Sequence, residues 1–174
     1  MNTAEYLVKK LEELGVNEFF GLPGDYNFNL LYAVENNPNT CWIGCTNELN
    51  AGYAADGYAR MRGYGALITT YGVGELSAMN AIAGSLAENV PVISIVGVPA
   101  TKTIENKTCV HHNFQDVDYH ACYEAHKHVT AAAAFLSGKP PADRSAALRC
   151  PRSLCPPRRC RMLCIRTRSP SWLL

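Results

Sequence analysis

The chain has 174 residues, 48% apolar and 18% charged, with 13 Gly and 10 Pro, which is enough to bury a core in one domain and excludes wholesale disorder or a collagen-like repeat. Its net charge of +1 conceals two compositions: residues 1–143 hold all 15 acidic residues and 8 of the 16 basic ones, whereas the last 31 residues hold eight Arg, no Lys and no acid. The longest apolar run, Val90 to Ala100, is broken by Pro91, Ser94 and Pro99 and is about half the roughly 20 residues of a membrane helix. Charges at Glu5, Lys9, Lys10, Glu12 and Glu13 fall where a secretory signal is apolar, so no membrane association and a cytoplasmic location are expected.

Thr3 is positioned to cap a first helix whose apolar residues Leu7, Leu11 and Leu14 follow the i, i+4, i+7 rule and which stops at Gly15. Glu18 to Leu22 reads as a short buried strand closed by Pro23-Gly24, and Tyr26 to Glu35 as a helix before Pro38. Thr40 to Cys45 predicts a second strand, Glu48 to Met61 a long helix, Ala66 to Thr70 a third strand ending in Gly72-Val73-Gly74, and Glu75 to Ala87 another helix. Val90 to Val98 is rich in Val and Ile without alternation, as in a parallel strand buried on both faces. Val129 to Leu136 begins a further helix.

Strands alternating with helices imply an α/β fold: an open, mostly parallel sheet with helices on both faces, incomplete at its C-terminal end. Ligands of such sheets sit at the carboxyl ends of the strands, here the loops Gly21 to Asn27, Cys45 to Glu48, Thr70 to Gly74 and Gly97 to Lys107. From Gly138 the periodicity stops, and Lys139-Pro140-Pro141 opens a stretch with six of the ten prolines. The expected division is a domain over 1–137 that ends before its last strand and an unpacked Arg-, Pro- and Cys-rich tail over 138–174. The tail is either disordered or the product of a shifted reading frame.

Cys41, Cys45, Cys109 and Cys122 are scattered and read as small packing residues. Cys150, Cys155, Cys160 and Cys164 lack the close C-x2-C pairs of most zinc sites, and no metal ligand set is assigned to the chain. Arg without Lys or interleaved aromatics is a weak nucleic-acid signal.

Three features at the strand ends carry chemistry. Asp25 follows a tight turn, where a carboxylate serves either a site or a helix cap. Glu48 opens a helix, where it serves either a site or the helix dipole. The pair His111-His112 precedes Phe114 and reads either as a surface pair or as a proton relay. Each is ambiguous by itself.

In order along the chain, Gly21-Leu22-Pro23-Gly24-Asp25-Tyr26-Asn27, Asn47-Glu48-Leu49-Asn50-Ala51-Gly52-Tyr53 continuing to Arg60, Thr69-Thr70-Tyr71-Gly72-Val73-Gly74-Glu75-Leu76-Ser77-Ala78, and Ala87-Glu88-Asn89-Val90-Pro91-Val92 form one constellation. From Thr3 to about Leu136 it resembles the amino-terminal, pyrimidine-binding domain of the pyruvate decarboxylase family. These are thiamine-diphosphate-dependent 2-oxo-acid decarboxylases, with indolepyruvate decarboxylase close by.

The resemblance implies a fragment of a lyase that converts pyruvate or a bulkier 2-oxo acid to an aldehyde and CO2, assembled as a homodimer or homotetramer. It implies that Glu48 activates the cofactor by sharing a proton with the pyrimidine ring, in a dry pocket that raises its pKa. By the same resemblance Asp25, His111 and His112 move protons on the substrate side, and Pro23, Thr70, Gly72 and Val73 line the pyrimidine ring. The diphosphate and its Mg2+ belong to a different domain, whose Gly-Asp-Gly and Asn-Asn signature this sequence lacks, and the chain alone is expected to be inactive. Asn113 to His120 departs from the Thr-Leu-Gly character usual after the histidine pair. The alternative is a non-catalytic orphan domain that pairs with full-length subunits or, through its basic tail, with nucleic acid.

Overall fold

A computed structural model describes residues 1–113, 121–136 and 161–166. Helix α1 (Thr3–Glu13) is opened by Asn2, whose side-chain oxygen accepts from the Glu5 amide at 2.9 Å while the Glu5 carboxylate accepts from the Asn2 amide at 2.9 Å. The cap is thus Asn2, and Thr3 is the first helical residue. Leu7, Val8 and Leu11 are buried, whereas Leu14, expected on the same face, is exposed at the C-cap before Gly15 turns the chain at φ +88°.

The elements that follow are β1 (Glu18–Gly21), α2 (Phe28–Glu35), β2 (Cys41–Gly44), α3 (Glu48–Arg62), β3 (Gly65–Thr70), α4 (Val73–Ala87) and β4 (Val92–Val98). Beyond them come α5 (Thr101–Glu105), α6 (Ala121–Lys127), β5 (Ala132–Leu136) and β6 (Arg161–Arg166). The strands form one sheet in the order β2-β1-β3-β4-β6-β5, every pairing parallel. The α/β class read from the sequence is the class observed.

β1 lies between β2 and β3. The chain therefore leaves β1 to one side for β2 and returns on the other side for β3. A crevice opens at the carboxyl ends of β1 and β3, where the strand order reverses.

β3 and β4 are buried along their whole length and β1 along most of it, their side chains alternating between two helical layers. Phe19, Ala66, Ile68, Ile93 and Ile95 pack with Leu7, Val8, Leu11, Leu30 and Val34 of α1 and α2. Phe20, Leu67 and Val92 pack with Ala51, Ala55, Ala59, Ala78 and Ile82 of α3 and α4. The small residues of α3 and α4 bring those two helices close: a Cβ added at Gly52 would lie 2.6 Å from the Ala81 Cβ.

Two expectations are corrected. Residues 129–136 do not form a helix; the segment from Ala132 is the edge strand β5, paired with β6. The alanine run has high helix propensity, but ladder pairing in the sheet outweighs an intrinsic preference of a few tenths of a kcal/mol per residue. The tail was expected to hold no strand, yet Arg161–Arg166 enters the sheet between β4 and β5, with Ile93 opposite Arg161 and Val98 opposite Arg166. Its apolar centre Met162-Leu163-Cys164-Ile165 suits a strand flanked on both sides. The expected character of the rest of the tail, including Cys150, Cys155 and Cys160, and of 114–120 lies outside the described residues.

The cysteine reading is also revised. Cys122 is buried and Cys45 partly buried, but Cys41 and Cys109 are exposed free thiols. Among the described residues no helix is long and apolar enough to cross a membrane, and no group of His, Cys, Asp and Glu could hold a metal ion.

Gly52→Ala tests the α3–α4 contact. Alanine is the better helix former by about 1 kcal/mol, but overpacking against Ala81 costs about 1–3 kcal/mol. The urea midpoint of the chain should therefore fall. A raised midpoint would show that the helices can separate freely.

Candidate functional site

The loop after β1 is shaped by Asn27, which is fully buried. Its side-chain oxygen accepts from the Gly24 amide at 2.9 Å and its amide donates to the Leu22 carbonyl at 2.9 Å, so one side chain closes the turn over Pro23 and Gly24. Asn27 also stands at the N-cap of α2. The cap alternative for Asp25 therefore falls: its carboxylate is exposed and faces the Nε2 of His111 at 3.3 Å.

Glu48 is the first residue of α3 and half-buried. The cap of that helix is supplied by Asn47, whose side chain accepts from the Asn50 amide at 2.8 Å. The Glu48 carboxylate has no hydrogen bond or ion pair among the described residues and is directed at the turn after β3. A Cβ at Gly74 would stand 3.1 Å from its Oε1 and 2.8 Å from the Thr70 Cγ2. A Cβ at Gly24 would in turn stand 3.0 Å from the Thr70 Cβ. Glu48, Thr70, Gly74 and the loop of Pro23 and Gly24 are thus brought together at the reversal point of the sheet.

Thr70 is buried, and among the described residues its hydroxyl has no hydrogen-bond partner. Val73, in the first turn of α4, is an exposed apolar residue, as is Leu76 one turn on.

The histidine pair lies on the other side of Gly72. His111 stacks on the Tyr26 ring with centroids 4.8 Å apart, and its Nδ1 is 3.2 Å from the Tyr26 hydroxyl. Tyr26 meets Tyr71 edge to face at 5.0 Å. The Tyr71 hydroxyl donates to the His111 carbonyl at 2.8 Å and lies 3.1 Å from the Asn113 side-chain oxygen. These contacts hold His112 at φ +67°, a left-handed conformation that a non-glycine residue keeps only where its surroundings impose it.

Gly72, at φ +71°, packs against that turn, with a built Cβ 3.0 Å from the His112 carbonyl oxygen. Pro23, Asp25, Glu48, Thr70, Gly72, Val73, His111 and His112 therefore all stand at one end of the sheet, in two groups that meet at Gly72. The sequence reading passed over Asn27, Tyr26 and Tyr71. The available signal was the aromatic density around the motif loops, since Tyr71 directly follows β3 and Tyr26 lies in the loop after β1.

The donor set suits a flat heteroaromatic ring. Among the described residues a carboxylate without a partner, an orphaned buried hydroxyl and glycines where any side chain would intrude bring polar atoms and bare backbone together.

Residues 1–122 match the family described as thiamine pyrophosphate enzyme, N-terminal TPP binding domain. The chain is 52% identical over 134 residues to a pyruvate decarboxylase of Aspergillus parasiticus, covering 77% of this chain and 23% of that protein. It is 51% identical over 132 residues to an alpha-keto-acid decarboxylase of Mycobacterium avium (strain 104), covering 76% of this chain and 23% of that protein. A protein of the same description from Mycobacterium tuberculosis (strain ATCC 25618 / H37Rv) is 50% identical over 132 residues, 76% of this chain and 24% of that protein. The chain spans about a quarter of the length of these relatives. With the family's features covering most of the chain and both residue groups falling inside them, the chain belongs to the thiamine pyrophosphate enzymes, as their N-terminal TPP binding domain.

Proposed function

We propose that the chain supplies the pyrimidine-binding half of a non-oxidative 2-oxo-acid decarboxylase acting on pyruvate or a close analogue. The observation that carries this is the Glu48 carboxylate directed at the Gly72 to Gly74 turn beside Thr70, in a chain about half identical to decarboxylases over that region. Thiamine diphosphate, when bound, would supply a carbanion nucleophile and an electron sink for the electron pair that loss of CO2 leaves behind.

Glu48 would hold the proton shared with a ring nitrogen, a role for which a carboxylate without another partner is available. Thr70 would meet the ring with its orphaned hydroxyl, and Pro23, Gly72 and Val73 would line it. Asp25, His111 and His112 form the proton relay on the substrate side. The Asp25 to His111 contact at 3.3 Å and the Tyr26 hydroxyl at 3.2 Å on the other ring nitrogen fix the imidazole at both ends, so that it can pass a proton without rotating.

Mg2+ and the diphosphate would be held by the remainder of the protein. The exposed Val73 and Leu76 beside Glu48 support coverage of this end by a second domain or subunit, in a homo-oligomer. The exposed free thiols Cys41 and Cys109 fit a reducing, cytoplasmic setting.

The isolated chain with thiamine diphosphate, Mg2+ and pyruvate should release no acetaldehyde above a Glu48→Gln control. Release above that control would mean that the half-site suffices for turnover.

In a chimaera that places residues 1–136 in the corresponding part of the Aspergillus parasiticus relative, Glu48→Gln should lower kcat by several orders of magnitude with the fold intact. Exchange of the cofactor's C2 proton with deuterated solvent should slow in parallel. Asp25→Asn and His112→Phe should lower turnover while sparing that exchange. Unchanged exchange in Glu48→Gln would return Glu48 to a helix-dipole role.

A further inference from the structure

Behind the Gly72 turn, away from Glu48, lies a second set of ionisable groups that the proposed chemistry does not use. Glu75 is 3% exposed, Cys122 6% and His126 0%. Oε1 of Glu75 accepts from the Gly72 amide at 3.0 Å. Among the described residues its Oε2 has no nitrogen or oxygen donor; it stands 3.9 Å from Nδ1 of His126, and the Cys122 thiol lies beside the carboxylate.

That Nδ1 is 2.9 Å from the Cys122 carbonyl, so it carries the ring proton and donates it, which leaves the buried, unpartnered Nε2 bare. A buried carboxylate whose donors are one amide and the weak Cys122 thiol is poorly satisfied, and an isolated buried charge is expensive. The same Gly72 packs directly on the His112 carbonyl.

We propose that Glu75, Cys122 and His126 form a buried proton-holding cluster in which Glu75 is a positioning residue, fixing the Gly72 amide and through it the His112 turn. The functional meaning of the cluster rests on the decarboxylase reading; its geometry does not. When Glu75 ionises, its proton leaves the cluster, the Gly72 amide gains a charged acceptor, and the turn between the cofactor side and the histidine pair tightens.

The groups packed around Glu75 are few. α6 brings the Cys122 thiol and the His126 ring, and α6's Glu124 is paired with Lys127. β3 and β4 carry no ionisable residue. On α3, Asp56 is bound to Arg60 and Ser85, Arg60 also reaches Glu88, and Glu48 lies across Gly74.

Burial pushes the Glu75 carboxyl up to about 7, against the opposing Gly72 amide. Burial, with Glu75 beside it, pushes the Cys122 thiol up to about 12, so it stays protonated. Burial lowers His126, which keeps the ring neutral. The raised carboxyl favours the folded chain while it is protonated; that contribution is complete below the ordinary carboxylate range and is lost as pH rises through about 7. The lowered His126 acts in the opposite sense: its contribution is complete above the ordinary histidine value and is lost as pH falls below it.

Nuclear magnetic resonance of the 174-residue chain between pH 5 and 9 tests the cluster without cofactor or turnover, so its failure is separate from failure of the decarboxylase reading. In the native sequence the Gly72 amide signal should move through a transition near pH 7, and the His112 backbone amide should follow it. Glu75→Gln, which keeps the acceptor oxygen but cannot ionise, should abolish the Gly72 transition and raise the melting temperature at pH 8 more than at pH 5. Cys122→Ala, which removes a thiol donor from the ionised carboxylate, should move the Gly72 transition to higher pH, and serves if Glu75→Gln fails to fold. A Gly72 transition that survives in Glu75→Gln, is unmoved in Cys122→Ala, or leaves the His112 amide still would overturn the proposal.

Discussion

Everything at the functional end of this chain depends on the reversal of strand order between β1 and β3. Two parallel strands whose connections leave to opposite sides cannot have both following loops packed over the same neighbour. Their carboxyl ends therefore stay open while their bodies are fully covered. The buried bodies supply rigidity: Phe19 and Phe20 of β1 and Ala66, Leu67 and Ile68 of β3 are enclosed by helices on both faces. The open ends supply access, and the loops of Pro23 to Asn27 and Gly72 to Gly74 meet there without large side chains between them. Glu48 reaches that meeting point because β2 pairs on the far side of β1 and hands the chain to α3 at the same level.

The order of elements from α1 to β4 was legible because each is signalled by local physics. The Val- and Ile-rich run of β4 can only be a strand buried on both faces, and Gly15, at positive φ, ends a helix where the sequence places it. Legibility fails where long-range pairing decides. Ala132 to Leu136 carries the composition of a helix, and its neighbour in the sheet, β6, is separated from it by 24 residues of Pro- and Arg-rich chain. No window of local sequence reveals such a partner, and the apolar run Met162 to Ile165 of β6 stands in an Arg- and Pro-rich setting without the alternating helix that marks the other strands.

The candidate site shows the same division. Glu48, Asp25 and the histidine pair were visible as chemistry-bearing residues beside glycine turns, yet each had an equally good local explanation as a cap or surface residue. Geometry separates the explanations by showing who performs the bland task. Asn27 closes the β1 loop and heads α2, Asn47 caps α3, and Tyr71 pins the His111 carbonyl. Asp25 and Glu48 are thereby released from structural duty. Buried amides such as Asn27 are hard to foresee, because their burial is profitable only when the exact carbonyl and amide they satisfy are in place.

Two carboxyl groups flank the Gly72 to Gly74 turn, and their surroundings sort them. Glu48 stands half-buried at a helix start with no partner among the described residues, which is what a group needs if a ligand is to be its partner. Glu75 is enclosed by α4 and α6 with the Gly72 amide on one oxygen and neutral groups near the other, which suits a group that holds the turn and does not meet a ligand. A turn of two glycines with Glu48 on one side and a left-handed histidine on the other has only the exposed Val73 side chain of its own and little to stiffen it. The stiffness has to come from behind, and a buried acid bonded to the first amide of α4 supplies it at the cost of placing an ionisable group where charge is unwelcome.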